Sequence, residues 1–149
     1  MPYKNALREK LRQGKPALGA FFKEMSPNAA EMMGVIGLDF IIVDCEHSPM
    51  AAETAGEIYR AAQLYSVSIL TRIGENNQQT IQKYLDARSE GVQIPLINTA
   101  EAAQAVVDAV KNPPVGQRGM AGLAWRATAA SRRPTSSSNG TKRAWSASR

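Results

Sequence analysis

This chain has one cysteine, one histidine and, past Asp108, no acidic side chain at all. Each scarcity excludes something. With Cys45 alone, no intrachain disulfide forms and a cysteine-rich zinc site is ruled out. The apolar runs fall far short of the roughly 18 to 20 residues that a membrane-spanning helix needs. The amino-terminal stretch, with Lys4, Arg8, Glu9 and Lys10, lacks the apolar core of a secretory signal. The expected setting is cytoplasmic, with no membrane partner.

What is present fits one well-packed domain: 149 residues, 44% hydrophobic and 21% charged. The net charge of +5 is unevenly placed. Residues 126–149 hold six basic side chains and no acidic ones, which leaves twelve basic against thirteen acidic in the rest. The basic character belongs to the tail alone.

The most informative stretch runs from Phe40 through Ile41, Ile42, Val43 and Asp44 to Cys45, Glu46, His47, Ser48 and Pro49. Four large apolar residues in a row suit a strand covered on both faces, as in a parallel sheet. The break to Asp44, Glu46 and His47 marks its carboxyl end, where α/β folds carry their chemistry. For Cys45, a structural reading as a small semi-buried side chain is preferred over a nucleophile assisted by His47, because a loop opens there.

Short apolar strands alternate with amphipathic helices from residue 17 to residue 111, the pattern of successive βα units. A strand over Ala17 to Phe22 leads to a helix started by Ser26 and Pro27 and closed by Gly34 and Gly37. The second strand is Phe40 to Val43. Ser48 and Pro49 lead into a helix whose Ala55, Ile58, Tyr59 and Ala62 share one face. A third strand, Val67 to Thr71, ends at Arg72, and the next helix turns Ile81, Tyr84 and Leu85 to one side. The fourth strand is Gly91 to Ile97. Asn98 and Glu101 resemble a capping box for a helix with Ala103, Val106, Val107 and Val110 facing inward.

Four such units make half of an eight-unit barrel, which takes roughly 250 residues. The expected fold class is α/β: the amino-terminal half of a (β/α)8 TIM barrel over residues 1–125, then an irregular basic tail over 126–149. A fifth strand should follow the glycine-rich loop at 115–122, yet residues 127–149 hold no aliphatic side chain larger than alanine. Either the tail is a disordered basic segment or the reading frame changes near residue 127. The abruptness of the shift favours the second.

Glu24, Asp44, Glu46, His47 and Arg72 gather at the expected strand ends. A histidine serves as a general base near neutral pH, and an arginine stabilises a developing oxyanion. That pairing suits chemistry at a carbonyl. Two plainer readings stand beside it, a surface or capping histidine and a salt-bridge arginine.

The segments Gly37 to His47, Thr71-Arg72, Leu85-Asp86, Val92 to Pro95 and Asn112 to Gly119, in that order, resemble the HpcH/HpaI aldolases, a family of metal-dependent pyruvate aldolases. The resemblance covers residues 5 to 125. It implies a carbon–carbon lyase in which a divalent cation, Mg²⁺, Mn²⁺ or Co²⁺, holds the keto and carboxylate oxygens of pyruvate as a Lewis acid. It also implies that His47 accepts the proton of the aldol hydroxyl, that Arg72 stabilises the enolate-like transition state, and that Asp86 raises the basicity of His47. The implied partners are small oxoacid and aldehyde substrates and further copies of the chain. Asp44 and Glu46 have supporting roles open to them, orienting His47 or a metal-bound water, against loop capping or a plain salt bridge. Gln117, Arg118 and Gly119 read either as a mobile loop near the barrel mouth or as a solvated connection.

Two departures stand out. Arg88 and Ser89 occupy positions where the family has small residues, typically Gly-Ala, which is costly if the backbone there needs a positive φ. The family's metal-binding carboxylates lie on the fifth and sixth strands, and residues 127–149 contain none. The chain as written is therefore expected to have an incomplete metal site and impaired activity. A half barrel also leaves its first and fourth strands as open edges, which invites self-association. The alternatives are a non-catalytic fragment whose basic tail binds polyanions and a metal-independent isomerase or lyase using His47. Nucleic-acid binding has thin support, because Trp145 is the only aromatic residue in that tail for stacking.

Overall fold

The structure, a computed structural model, describes residues 5–119. Its elements are α1 (Ala6–Arg12), β1 (Gly19–Phe22), α2 (Pro27–Val35), β2 (Phe40–Asp44), α3 (Ala52–Gln63), β3 (Ser68–Arg72), α4 (Gln78–Asp86), β4 (Gly91–Gln93) and α5 (Ala100–Val110). The four strands pair in parallel in chain order, so the chain forms half of a (β/α)8 barrel with β1 and β4 as its edges. The expected tail lies outside the described residues.

Strand alternation decides what each side of the sheet meets. Phe22, Ile41, Val43, Ile69 and Thr71 are buried beneath the helices. The opposite, concave face carries Phe21, Phe40, Ile42 and Leu70, and at its carboxyl end Asp44 and Arg72, which are register partners. The expected apolar faces of α3 (Ala55, Ile58, Tyr59, Ala62) and α4 (Ile81, Tyr84, Leu85) are all buried. On α5, by contrast, Ala109 is buried while Ala103 and Val107 are exposed. That helix packs chiefly on α4, and among the described residues no next unit covers its other flank.

Several boundaries differ from the sequence reading for local reasons. The cap of α5 is Thr99, whose hydroxyl accepts the Ala102 N–H at 3.1 Å, so the expected pair of Asn98 and Glu101 gives way. Ser48 does not cap α3. Its hydroxyl donates to the Asp44 carbonyl, and Ala51, the residue at the cap position of α3, offers no side-chain cap. β4 stops at Gln93, because Pro95 lacks an N–H and Leu96 takes φ +57°. Helix α1, which the sequence reading did not anticipate, sits at the amino ends of the strands. Lys10 there reaches Asp39 at 2.7 Å, and the Asn5 amide donates to Glu90.

Helices α1 to α4 end on one motif, a left-handed residue whose N–H and following N–H bond back into the last turn. Gly14 and Gly37 occupy that position in α1 and α2, Ser66 and Arg88 in α3 and α4. At α4, Arg88 has φ +88°, with its N–H on Leu85 and the Ser89 N–H on Tyr84. The departure at residue 88 is thus a strained one. Ser89 is accommodated: the Thr71 hydroxyl donates to its Oγ at 2.8 Å, and its own hydroxyl donates to the Gly91 carbonyl at 2.7 Å. Tyr59 joins this buried chain through Thr71 at 2.5 Å.

Because a non-glycine residue in the left-handed region costs roughly 1 kcal/mol or more, Arg88→Gly should stabilise the fold by about 1 kcal/mol. Gly37→Ala should destabilise it by a similar amount. Urea unfolding midpoints at constant m-value measure both.

Candidate active site

At the end of β2 the chain buries a charge. The side chain of Asp44 is fully buried, a position a carboxylate holds only when paired and hydrogen-bonded. Arg72, directly opposite on β3, supplies both bonds: Nε to Oδ1 at 3.0 Å and Nη2 to Oδ2 at 2.6 Å. Lys23, just past β1, approaches Oδ2 at 3.6 Å. Asp44 Oδ1 also accepts the backbone N–H groups of Glu46 at 3.2 Å and His47 at 3.1 Å, which turns the chain sharply out of the strand. The hydrogen bonds from Arg72 hold the Asp44 carboxyl well below its ordinary 3.8; burial opposes them, and the two amides add to the lowering.

That turn presents Glu46 and His47 at the rim. Glu46 Oε2 lies 3.3 Å from Arg72 Nε and 3.5 Å from His47 Nε2, so one carboxylate oxygen stands between imidazole and guanidinium. The His47 side chain is 59% exposed and faces solvent. Arg72 also stacks on Phe21, its guanidinium carbon 4.7 Å from the ring centroid. Its bonds to the carboxylates run through Nε and Nη2, which leaves Nη1 outside them.

The other sequence candidates separate from this cluster. Glu24 is exposed and joins none of its contacts. Asp86 is the last residue of α4, as expected a helical position, and its carboxylate takes a 2.8 Å bond from Arg118 Nη2. The carboxylate beside His47 is Glu46. Cys45 is partly buried, and burial lifts its thiol to about 11, which suits a structural role. Sequence reasoning missed Lys23 and Phe21. Their signal was the spacing: two residues apart at the end of β1, they share the concave face with Asp44 and Arg72.

The model of the HpcH/HpaI aldolase/citrate lyase family matches residues 17–141. The chain belongs to that family. It is similar to the hydroxypyruvate/pyruvate aldolase of Sagittula stellata, 39% identical over 80% of this chain and 47% of that protein. It also matches the 2-keto-3-deoxy-L-rhamnonate aldolase of Salmonella gallinarum, 31% identical over 83% of this chain and 46% of that one. The crystal structure of an HpcH/HpaI aldolase from Desulfitobacterium hafniense superposes with a TM-score of 0.76 at 30% identity, over 87% of this chain and 49% of that chain. The chain thus spans about half the length of the curated relatives it matches.

A divalent cation does not fit the side chains of this HpcH/HpaI family member that are described. Hard cations take carboxylate, carbonyl and water oxygens. Both oxygens of Asp44 are engaged by the Arg72 guanidinium, and Oε2 of Glu46 is shared between Arg72 and His47. Among the described residues no group of three or more His, Cys, Asp or Glu side chains is placed to hold a metal ion. No helix among them is long and apolar enough to cross a membrane.

Asp44 has its carboxyl lowered in the folded state, so the stability it contributes is complete above its ordinary value of 3.8 and is lost as pH falls toward the folded-state value. Urea unfolding at a series of acidic pH values should show that loss, and Asp44→Asn should flatten it. Arg72→Met leaves a buried carboxylate unpaired and should cost about 3 to 5 kcal/mol at neutral pH. The double variant Arg72→Met/Asp44→Asn should recover a large part of that loss in the same assay.

Proposed function

We propose that the chain carries the acid–base half of an aldol lyase that cleaves a 4-hydroxy-2-oxoacid to pyruvate and an aldehyde. The observation that carries this reading is the single Glu46 oxygen lying within 3.5 Å of both His47 and Arg72, which sets a base and an oxyanion partner side by side at the carboxyl ends of adjacent strands. The names of the matched relatives support it, since both are aldolases of 2-oxoacids.

In this reading His47 accepts the proton of the C4 hydroxyl. The oxygen's electron pair forms the aldehyde carbonyl as the C3–C4 bond breaks, and the bonding pair passes into the C2–C3 enolate. Arg72 faces the C2 oxygen, where the charge develops and where preorganised donors act most strongly. Return of that proton from His47 to C3 gives pyruvate, and the reverse transfer from C3 to His47 exchanges the methyl protons of pyruvate. Glu46 holds the imidazole beside the guanidinium, and Asp44 fixes both by bonding Arg72 and the backbone of His47. No step is assigned to a metal, because the Asp44 and Glu46 carboxylates are engaged by the Arg72 guanidinium. We further propose that these four βα units turn over slowly for the same reason.

The half reaction gives the test. Incubated with pyruvate in D₂O, the purified chain should exchange methyl protons for deuterium, read by proton NMR. General acid–base groups contribute roughly 10²- to 10⁴-fold, so His47→Ala should slow exchange by about 100-fold or more with its circular dichroism unchanged. Exchange by His47→Ala at the rate of the parent chain would sink the assignment.

A further inference from the structure

Three adjacent strands end in one row of charge. Phe22 pairs with Val43 and Asp44 with Arg72, so Lys23, the residue after β1, continues the register beside Asp44. Asp44 Oδ2 is met from both flanks, by Arg72 Nη2 at 2.6 Å and by Lys23 Nζ at 3.6 Å. The two contacts differ in kind. Arg72 is bonded to Asp44 through the Nε–Nη2 edge of its fork, whereas the Lys23 ammonium stands beyond hydrogen-bond distance and makes no hydrogen bond with a described residue. Its three donors remain for a ligand. The guanidinium also has a direction in this row. Its Nη2 corner shares an oxygen with Lys23, and its Nε corner lies 3.3 Å from Glu46 Oε2, the atom that leads on to His47. Because the group is planar, the edge between Nη1 and the second N–H of Nη2 points away from Asp44.

We propose that Lys23 is the anchor for the C1 carboxylate of the oxoacid. The proposal rests on the aldol-lyase reading above, which supplies a substrate with that carboxylate, a C2 oxygen at Arg72 and a C4 hydroxyl at His47. Charge sets the order in which the acid lies. Glu46, at the His47 end of the guanidinium, repels a carboxylate, while the ammonium at the other end attracts one. The acid therefore runs along Arg72 with C1 at Lys23, the C2 oxygen on the free edge of the guanidinium and C4 toward His47. A neutral carbonyl compound lacks the first of these contacts, so Lys23 makes the site selective for 2-oxoacids. The competing role is a plain ion pair that neutralises the buried Asp44. Arg72 already performs that task with two bonds, which leaves the longer Lys23 contact little to add.

Pyruvate carries the carboxylate and the C2 oxygen but no C4 group, so its binding isolates this end of the site. Ligand-observed proton NMR titration of the full 149-residue chain in metal-stripped buffer measures its Kd. Lys23→Met removes one charge-assisted hydrogen bond and should raise that Kd about 10-fold. Lys23→Arg, which keeps the charge, should return it most of the way. Methyl pyruvate has no charge at C1 and should not distinguish the parent chain from Lys23→Met. Equal pyruvate affinity in the parent and Lys23→Met would overturn the proposal, as would a parent chain that binds no pyruvate. So would an equal loss for the acid and its ester in Lys23→Met, the mark of a disturbed site rather than a lost anchor. Binding needs no proton transfer, which keeps the two readings apart. Failure of the Lys23 result leaves the deuterium-exchange assignment of His47 standing, and failure of that assignment leaves the Lys23 anchor to be judged by the pyruvate and ester affinities alone.

Discussion

The site depends on one ion pair. Asp44 is fully buried at the end of a strand, and a charge in that position persists only because Arg72 meets it with two parallel bonds from the adjacent strand. The pair performs two tasks that a neutral pair would not. It anchors the guanidinium at a set angle over Phe21, and it uses the remaining capacity of Asp44 Oδ1 to bend the chain so that Glu46 and His47 leave the strand at its rim. Position, charge and loop geometry at the mouth all follow from that single carboxylate.

The register of the sheet makes the pair possible. Asp44 and Arg72 are opposed because β2 and β3 pair from Phe40 with Ser68 onward, five residues each. That register rests on apolar alternation: a slip by one residue would move Ile41, Val43 and Ile69 from the helix-covered face to the open one. Packing beneath the helices therefore decides the electrostatics at the rim. The buried hydroxyl chain of Tyr59, Thr71 and Ser89 belongs to the same constraint. Thr71 precedes Arg72 on β3 and points the opposite way, into the helical layer, where its partners pin the strand from behind.

Much of this was legible in the residues. Apolar runs ending in polar groups gave the four strands, three-and-four spacing gave the faces of α3 and α4, and the strand-end rule singled out Asp44, Glu46, His47 and Arg72. Legibility failed where two local signals competed or where the information was long-range. Asn98 and Thr99 are both good caps, and only the trajectory of the chain chooses Thr99. Ser48 carries a capping signal but serves the Asp44 carbonyl. Seven-residue α1 has no buried residue, so no apolar periodicity announced it; its place comes from Lys10 meeting Asp39 and Asn5 meeting Glu90. The neighbour of Asp86 was likewise beyond reach, since Arg118 lies 32 positions away.

Arg88 shows how a departure from a family pattern can be weighed physically. Four helices end on a left-handed residue, and the position is filled by glycine in two and by a side chain in the others. The turn is imposed by topology, because each helix must reverse within a few residues to deliver the next strand in parallel. Arg88 is thus tolerated at a conformational cost, with the backbone bonds of Arg88 and Ser89 satisfied regardless of the side chain. The same reasoning separates the two departures. Ser89 adds bonds inside the core, whereas Arg88 adds strain at its edge, and strain at the start of β4 falls on a three-residue strand that is an edge of the sheet among the described residues.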